Sequence, residues 1–114
     1  MTTSNHEVVF AIVNAGYAQE AMDVARDQGV RGGTILNARG VAREKEASFF
    51  GITIHPEKEI LMMVVEKTIR DKVLTALYQE MGIDKKAQGI VFALPVSDVA
   101  GLVQIEEQKA EAEV

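Results

Sequence analysis

The stretch EILMMVV, residues 59–65, decides the fold of this chain. Its apolar side chains follow one another without polar alternation, so the strand it predicts has no face suited to water. The run VVFAIV at residues 8–13 has the same character, and TILNAR (34–39) and GIVFALPV (89–96) predict two further strands. Pro95 indicates that the last strand lies at an edge or ends there, because proline cannot donate to the ladder.

Two helices are predicted between these strands, and each has one apolar face. The first is expected to end at Gly29, and the second to start at a capping-box-like pair, Thr68 and Asp71, and to end at Gly82. The apolar faces consist of Ala18, Met22 and Ala25 in the first helix and of Ile69, Val73, Leu77 and Met81 in the second. The segment FFGITIHPEK (49–58) alternates enough to pair back as a hairpin onto strand 59–65.

The element order is therefore βαβ followed by βαβ. Right-handed crossovers fold this order into a four-stranded antiparallel sheet with both helices on one face, the α+β ferredoxin-like arrangement βαββαβ. Residues 1–114 fit a single domain, with its core over 7–103 and an acidic tail over 104–114. The second sheet face is left without cover, so we expect a symmetric homo-oligomer that buries these faces together.

Composition excludes several classes of protein. The formal charge of −5 opposes binding to nucleic acid, whose phosphates require cations. The absence of cysteine excludes disulfides, thiolate metal sites and cysteine nucleophiles. The start, MTTSNHE, has no features of a secretion signal, and no apolar run approaches the roughly 20 residues needed to span a bilayer. We therefore expect a cytoplasmic protein.

No set of residues in the sequence forms a recognisable catalytic or metal site. His6 and His55 stand far apart and are predicted to be solvent or turn histidines, since metal sites need clustered ligands. The carboxylates of the long loop are predicted to be solvated, and they are Glu44, Glu46, Glu57 and Glu59. We predict no catalytic residue, no metal, no tightly bound cofactor and no enzymatic activity.

The connection from Gly40 to Lys58 is much longer than a usual turn, and loops of that length are commonly functional. Its first residues are Gly40, Val41, Ala42 and Arg43. Glycine at a strand end lets backbone N–H groups approach an anion, and the arginine supplies a fork for phosphate. A second glycine corner, KKAQGI (85–90), contributes Lys85, Lys86, Gln88 and Gly89. Both corners belong to one edge of a protomer's sheet, and an oligomer that joins corners of neighbours would form a nucleotide pocket between subunits.

Three segments resemble the P-II signal-transduction proteins, over about residues 8–103. GVRGGTILNARGVAR (29–43) is similar to the second strand and the start of the T-loop of that family. HPEKEILMMVV (55–65) is similar to the return from the loop, and GIVFALPVSDVAGL (89–102) to the last strand and the turn after it. The resemblance implies a trimeric ferredoxin-like sensor that binds ATP and ADP between subunits and acts in nitrogen regulation.

By this resemblance a set of residues would line the nucleotide cleft, with Ile12 near the base and Gly32 as a backbone position beside it. The set consists of Thr34, Gly40, Val41, Ala42, Arg43, Val64 and Gly89. The implied ligand is ADP, ATP, AMP or another adenine nucleotide, bound as an effector. The implied partner is a regulated protein, a membrane transporter or a metabolic enzyme, contacted through loop 41–57.

The departures from the family pattern bear on the ligand. Gly101 and Val103 stand where the family usually has two arginines that reach a neighbour's phosphates, and Ile90 stands in place of a lysine. Hydrogen bonds to charged groups contribute about 1.5–3 kcal/mol each. Their loss therefore lowers the affinity for a triphosphate by orders of magnitude, and the affinity for ADP or AMP by less. Glu44 replaces a glutamine that helps hold magnesium and 2-oxoglutarate, and an acid there would repel a dicarboxylate. The loop has no tyrosine, so tyrosine nucleotidylation is not expected.

Other functions fit the same element order. A small-metabolite module of the ACT kind binds amino acids between subunits, but it needs neither a long charged loop nor an arginine at 43. A purely structural oligomer is the other alternative. An RNA-binding domain of the RRM type would need exposed aromatics on the central strands, where Leu61, Met63 and Val65 are expected instead.

Overall fold

The computed structural model describes residues 2–3, 5–41, 48–49, 52–53 and 56–101. Its strands and helices are β1 (Thr2–Thr3), β2 (His6–Asn14), α1 (Ala18–Asp27), β3 (Thr34–Arg39), β4 (Ser48–Phe49), β5 (Ile52–Thr53), β6 (Glu57–Glu66), α2 (Arg70–Met81), β7 (Ile90–Pro95) and β8 (Asp98–Val99). Ala42, Arg43, Glu44, Glu46, His55 and Val103 lie outside the described residues, so the predictions on them are not placed in the fold.

The main sheet has four antiparallel strands in the order β3-β6-β2-β7. Both helices pack on one of its faces, so the predicted α+β ferredoxin-like arrangement is confirmed. Pro95 is the last residue of an edge strand, as expected for a residue without an N–H. Two short strands that the sequence did not predict, β1 and β8, pair with each other.

The core lies between the sheet and the helices. Alternate residues of the two central strands point toward the helices, and they are Val9, Ala11 and Val13 in β2 and Leu61, Met63 and Val65 in β6. The predicted helix faces meet them and are buried, with Ile69 packed at the margin. In these continuous apolar runs, only every second residue therefore enters the core between the sheet and the helices.

The first helix ends in the way that the sequence predicts. Gly29 adopts a φ of +104°, a left-handed conformation that glycine tolerates best. Its N–H donates to the carbonyl of Arg26, and the N–H of Val30 donates to the carbonyl of Ala25. These two bonds form a Schellman motif, which satisfies carbonyls at the end of α1. Gly82 likewise follows the last residue of α2.

The start of the first helix is capped by a residue that is distant in the sequence. Glu59, on the neighbouring strand β6, accepts hydrogen bonds from the N–H of Gly16 at 2.7 Å and of Ala18 at 3.1 Å. A carboxylate at this position satisfies free N–H groups and matches the helix dipole. The prediction that Glu59 is simply solvated is therefore wrong, because a distant element uses it as a cap.

The second helix also begins differently from the prediction. A short 3-10 helix, Lys67–Ile69, leads into α2, and no side chain caps it. The predicted capping box of Thr68 and Asp71 is wrong, because Thr68 lies inside this 3-10 turn. The Asp71 carboxylate accepts instead from Arg70 Nε at 3.0 Å.

A partly buried ion pair ties β2 to the start of α2. Glu7 is only 6% exposed, and its carboxylate lies 2.6 Å from Arg70 Nη1. Hydrogen bonds to Glu7 and Asp71 raise the pKa of Arg70, so the guanidinium stays charged at any working pH. His6 is buried beside Glu7 on the strand, which corrects its prediction as a solvent or turn histidine.

The expected hairpin of residues 49–58 takes another form. Ser48–Phe49 pairs with Ile52–Thr53, so this ribbon pairs with itself. Strand β6 begins at Glu57, earlier than predicted, and its first residues pair with β3. Among the described residues, no helix is long and apolar enough to cross a membrane.

Candidate functional site

The first glycine corner lies at what we call the loop end of the sheet, where β3 and β2 end and β6 and β7 begin. Gly40 directly follows β3, and its N–H donates to the carbonyl of Pro56 at 2.7 Å. A Cβ added to Gly40 would lie 3.2 Å from Pro56 Cγ and 3.3 Å from Lys58 Cε. The two ends of the long loop therefore touch here, and glycine provides the space for that contact.

The second glycine corner lies at the same end of the sheet, just before β7. The N–H of Gly89 donates to the carbonyl of Met81 at 2.7 Å, and an added Cβ would lie only 2.3 Å from that oxygen. Gln88 adopts a φ of 49°, and its N–H closes the turn on the carbonyl of Lys85. The side chains of Lys85 and Lys86 are exposed. The corner thus combines a tight backbone with cations that face solvent.

The side chain of Asn14 joins the two corners. Lys58 Nζ donates to Asn14 Oδ1 at 2.7 Å, and Asn14 Nδ2 donates to the carbonyl of Lys86 at 3.0 Å. The backbone N–H of Asn14 also donates to the carbonyl of Ala87 at 2.8 Å. The sequence placed both corners at one sheet edge, whereas the structure places them at one end of the sheet and on opposite edge strands.

Three other predicted residues lie at the opposite end, which we call the far end, where β3 begins and β6 ends. Gly32, Thr34 and Val64 line an open cleft of about 520 Å³, which His6 and Glu66 line as well. Pockets of this volume fit small-molecule ligands. Thr34 and Gly40 lie six positions apart along β3, which corresponds to roughly 20 Å.

The remaining predicted residues complete this division. Ile12 lies in the sheet near the loop end, opposite Ile60 and Ile90. Val41 is 88% exposed, directly after Gly40. The described candidates therefore form a loop-end group and a far-end group, and one protomer does not bring the two groups together.

The sheet face opposite the helices, which we call the open sheet face, is apolar, and among the residues that the structure describes no helix packs on it. It carries Val8, Phe10, Ile12, Leu36, Ile60, Met62, Val64, Ile90, Phe92 and Leu94. Phe10 and Phe92 stack with ring centroids 5.3 Å apart. The sequence expected Leu61, Met63 and Val65 at the exposed central positions; these face the helices instead, and the open face does carry an aromatic pair.

No other site for chemistry appears in the part of the chain that is described. Within those residues, no three histidine, aspartate or glutamate side chains come close enough to hold a metal ion. The arrangement offers an open cleft at one end and a cluster of lysines at the other. Such groups can bind an anionic ligand, but they contain no nucleophile beside a base.

Comparisons with known proteins agree on one family. The family model for nitrogen regulatory protein P-II matches residues 6–106. The crystal structure of Arabidopsis thaliana PII bound to citrate superposes with a TM-score of 0.62 and 25% sequence identity, over 88% of this chain and 82% of that chain. No curated protein matches the chain significantly.

Proposed function

The chain belongs to the P-II family of nitrogen regulatory proteins, which are signalling proteins, and from this membership we propose that it forms a homotrimer that binds an adenine nucleotide between subunits. The bound nucleotide controls a partner protein through loop 41–57. The chain acts as a regulator and carries out no reaction of its own. The partner is a metabolic enzyme or a membrane transporter.

The division of the candidate residues carries this proposal. Gly40 of the loop-end group and Thr34 of the far-end group lie roughly 20 Å apart along β3, too far for one nucleotide to reach both in one protomer. A ring of copies can place the loop end of one protomer against the far end of the next. The site is then complete only between subunits.

The open sheet face supports the same assembly. A continuous apolar face of this kind is rarely left exposed, because its burial contributes about 25 cal/mol per Å². On β6 the apolar residues of this face lie between Lys58 and Glu66, so polar side chains stand at both ends of the apolar surface. The face therefore suits contact with further copies of the chain.

The chemistry of the two groups suggests how a nucleotide is divided between them. The far-end cleft, with Met62, Val64 and the backbone of Gly32, accommodates the base. The loop end supplies Lys85 and Lys86 for the phosphates, and Arg43 of loop 41–57 would be a third cation for them. Because Gly101 and Ile90 add no cation, ADP or AMP is preferred over ATP.

Nucleotide binding has a direct route to the loop. The N–H of Gly40 already donates to the carbonyl of Pro56, at the base of loop 41–57. A phosphate that takes this N–H displaces Pro56 and opens the loop base, whereas a ligand held by side chains alone leaves it closed. The nucleotide shifts the balance between the open and the closed loop base only by the difference between its affinities for these two states.

Isothermal titration calorimetry with ATP, ADP, AMP and cyclic dinucleotides tests the proposal. A nucleotide present at about a hundred times its dissociation constant also raises the unfolding free energy by about 2.7 kcal/mol. Arg43→Ala removes most of this gain, while the matched control Arg26→Ala, on the outer face of α1, keeps it. No heat and no thermal shift with any nucleotide would exclude nucleotide sensing.

The same assay separates the alternatives. Amino acids belong in the panel, because stabilisation by an amino acid alone indicates an ACT-like module. Citrate belongs there too, since it is bound in the Arabidopsis structure and is a multiply charged anion, as the phosphate chain of a nucleotide is. A trimer that responds to none of these ligands is a purely structural oligomer.

A further inference from the structure

Asn14 occupies a position from which one side chain reaches two different elements. It is the last residue of β2, and β2 lies between β6 and β7 in the sheet. An amide side chain has both an acceptor and donors. The acceptor Oδ1 holds Lys58 Nζ on one side, and the donor Nδ2 holds the carbonyl of Lys86 on the other. An ionised carboxylate lacks the donor and an ammonium lacks the acceptor, so neither offers the same pair of contacts.

Each of these contacts leads to one glycine corner. The stem of Lys58 packs against Gly40, where Cε lies 3.3 Å from the site of an added Cβ. The carbonyls of Lys86 and Ala87, both bound to Asn14, belong to the turn that precedes Gly89. Asn14 therefore links the loop base to the second corner through its own hydrogen bonds.

We propose that Asn14 is a positioning residue that couples the two corners, so that a change at the loop base alters the geometry of the 85–89 turn. The mechanism is an exchange of hydrogen bonds. When Lys58 leaves Oδ1, the amide is free to rotate and Nδ2 loosens its hold on Lys86. The effect of this coupling on a ligand rests on the proposed nucleotide function, but the coupling itself does not.

Amide hydrogen exchange measured by NMR tests the coupling without any ligand. Lys58→Met removes the ammonium and keeps an apolar stem, and the reporter is the N–H of Gln88, which donates to the carbonyl of Lys85. Exchange at Gln88 is expected to rise about tenfold, equivalent to one hydrogen bond of moderate strength. The N–H of Met63 in the core is the control for global unfolding and should not change.

The decisive comparison repeats Lys58→Met in the background of Asn14→Ala. In that background the corner is already loosened, so Lys58→Met adds nothing at Gln88. Asn14→Asp keeps the acceptor for Lys58 and loses the donor to Lys86, so it also abolishes the effect. An unchanged Gln88 rate in the single Lys58 variant, or an equal rise in both backgrounds, would overturn the proposal.

A binding experiment then tests the consequence for the site. Asn14→Ala should lower the affinity for ADP about tenfold in calorimetry and leave the affinity for adenosine unchanged, because in the proposed site the two corners contact the phosphates. Asn37→Ala, the same truncation on exposed β3, should leave both ligands unchanged. Equal weakening of adenosine and ADP would overturn the positioning role. Absence of binding to the wild-type protein would instead reject the nucleotide function, and the exchange experiment would still decide the coupling.

Discussion

Replacing Phe92 with glutamate tests whether the open sheet face is buried in an oligomer. Phe92 lies near the middle of this face, is 39% exposed in the isolated chain and stacks on Phe10. Its side chain points away from the helices, so the substitution does not enter the protomer core. The fold of the protomer should therefore survive while the contact between copies is lost.

The structure allows an estimate of both effects. Within the protomer, the change removes one stacked aromatic pair, which contributes about 0.5–1.5 kcal/mol. Between copies, it buries a carboxylate without a partner, which costs at least about 3 kcal/mol. Since about 1.4 kcal/mol is tenfold in an equilibrium constant, the dissociation constant should rise more than a hundredfold.

Sedimentation velocity measures the assembly, and far-ultraviolet circular dichroism checks the fold. The wild-type protein should sediment as a trimer and Phe92→Glu as a monomer with native helix content. Tyr78→Glu is the matched control, because Tyr78 is 65% exposed on α2, away from the face. A monomeric wild type, a trimeric Phe92→Glu, or dissociation of the control to the same extent would refute the reasoning.

Two further predictions concern thermal stability. Gly89→Ala should lower the unfolding free energy by about 1–3 kcal/mol, because the new Cβ would lie 2.3 Å from the Met81 carbonyl oxygen. Gly32 has open space around it, so Gly32→Ala should leave the unfolding free energy nearly unchanged; thermal unfolding measures both variants. Glu59→Ala should cost about 1 kcal/mol, or about 4 °C in melting temperature, because α1 loses its cap, while Glu66→Ala should change neither. Equal melting temperatures within either pair would contradict the assigned contact.

The elements that were predicted correctly are those that depend on neighbouring residues in the sequence. The run at 59–65 is continuous and apolar, and Gly29 stands where a helix needs a left-handed residue. The cap of the first helix was missed because it depends on a distant partner. Glu59 and Gly16, for example, meet across 43 positions of sequence. Propensity and spacing do not report such contacts.

The candidate site was predictable in its residue types and not in its geometry. The glycines at 40 and 89 stand out in the sequence, but their N–H groups donate to Pro56 and Met81, which only the structure shows. Asn14 carries no signal of its own, since a polar residue at a strand end is ordinary. Its importance lies in three hydrogen bonds to elements that come later in the chain.

The spacing along β3 has a consequence for how a ring of such protomers would respond to ligand. Each copy would share one ligand with the neighbour on its left and another with the neighbour on its right. In such a ring β3 would join the two shared clefts, so a displacement of the strand at one cleft would also reach the other. Occupation of one cleft would then bias the next around the ring, and the three sites would fill with unequal affinities.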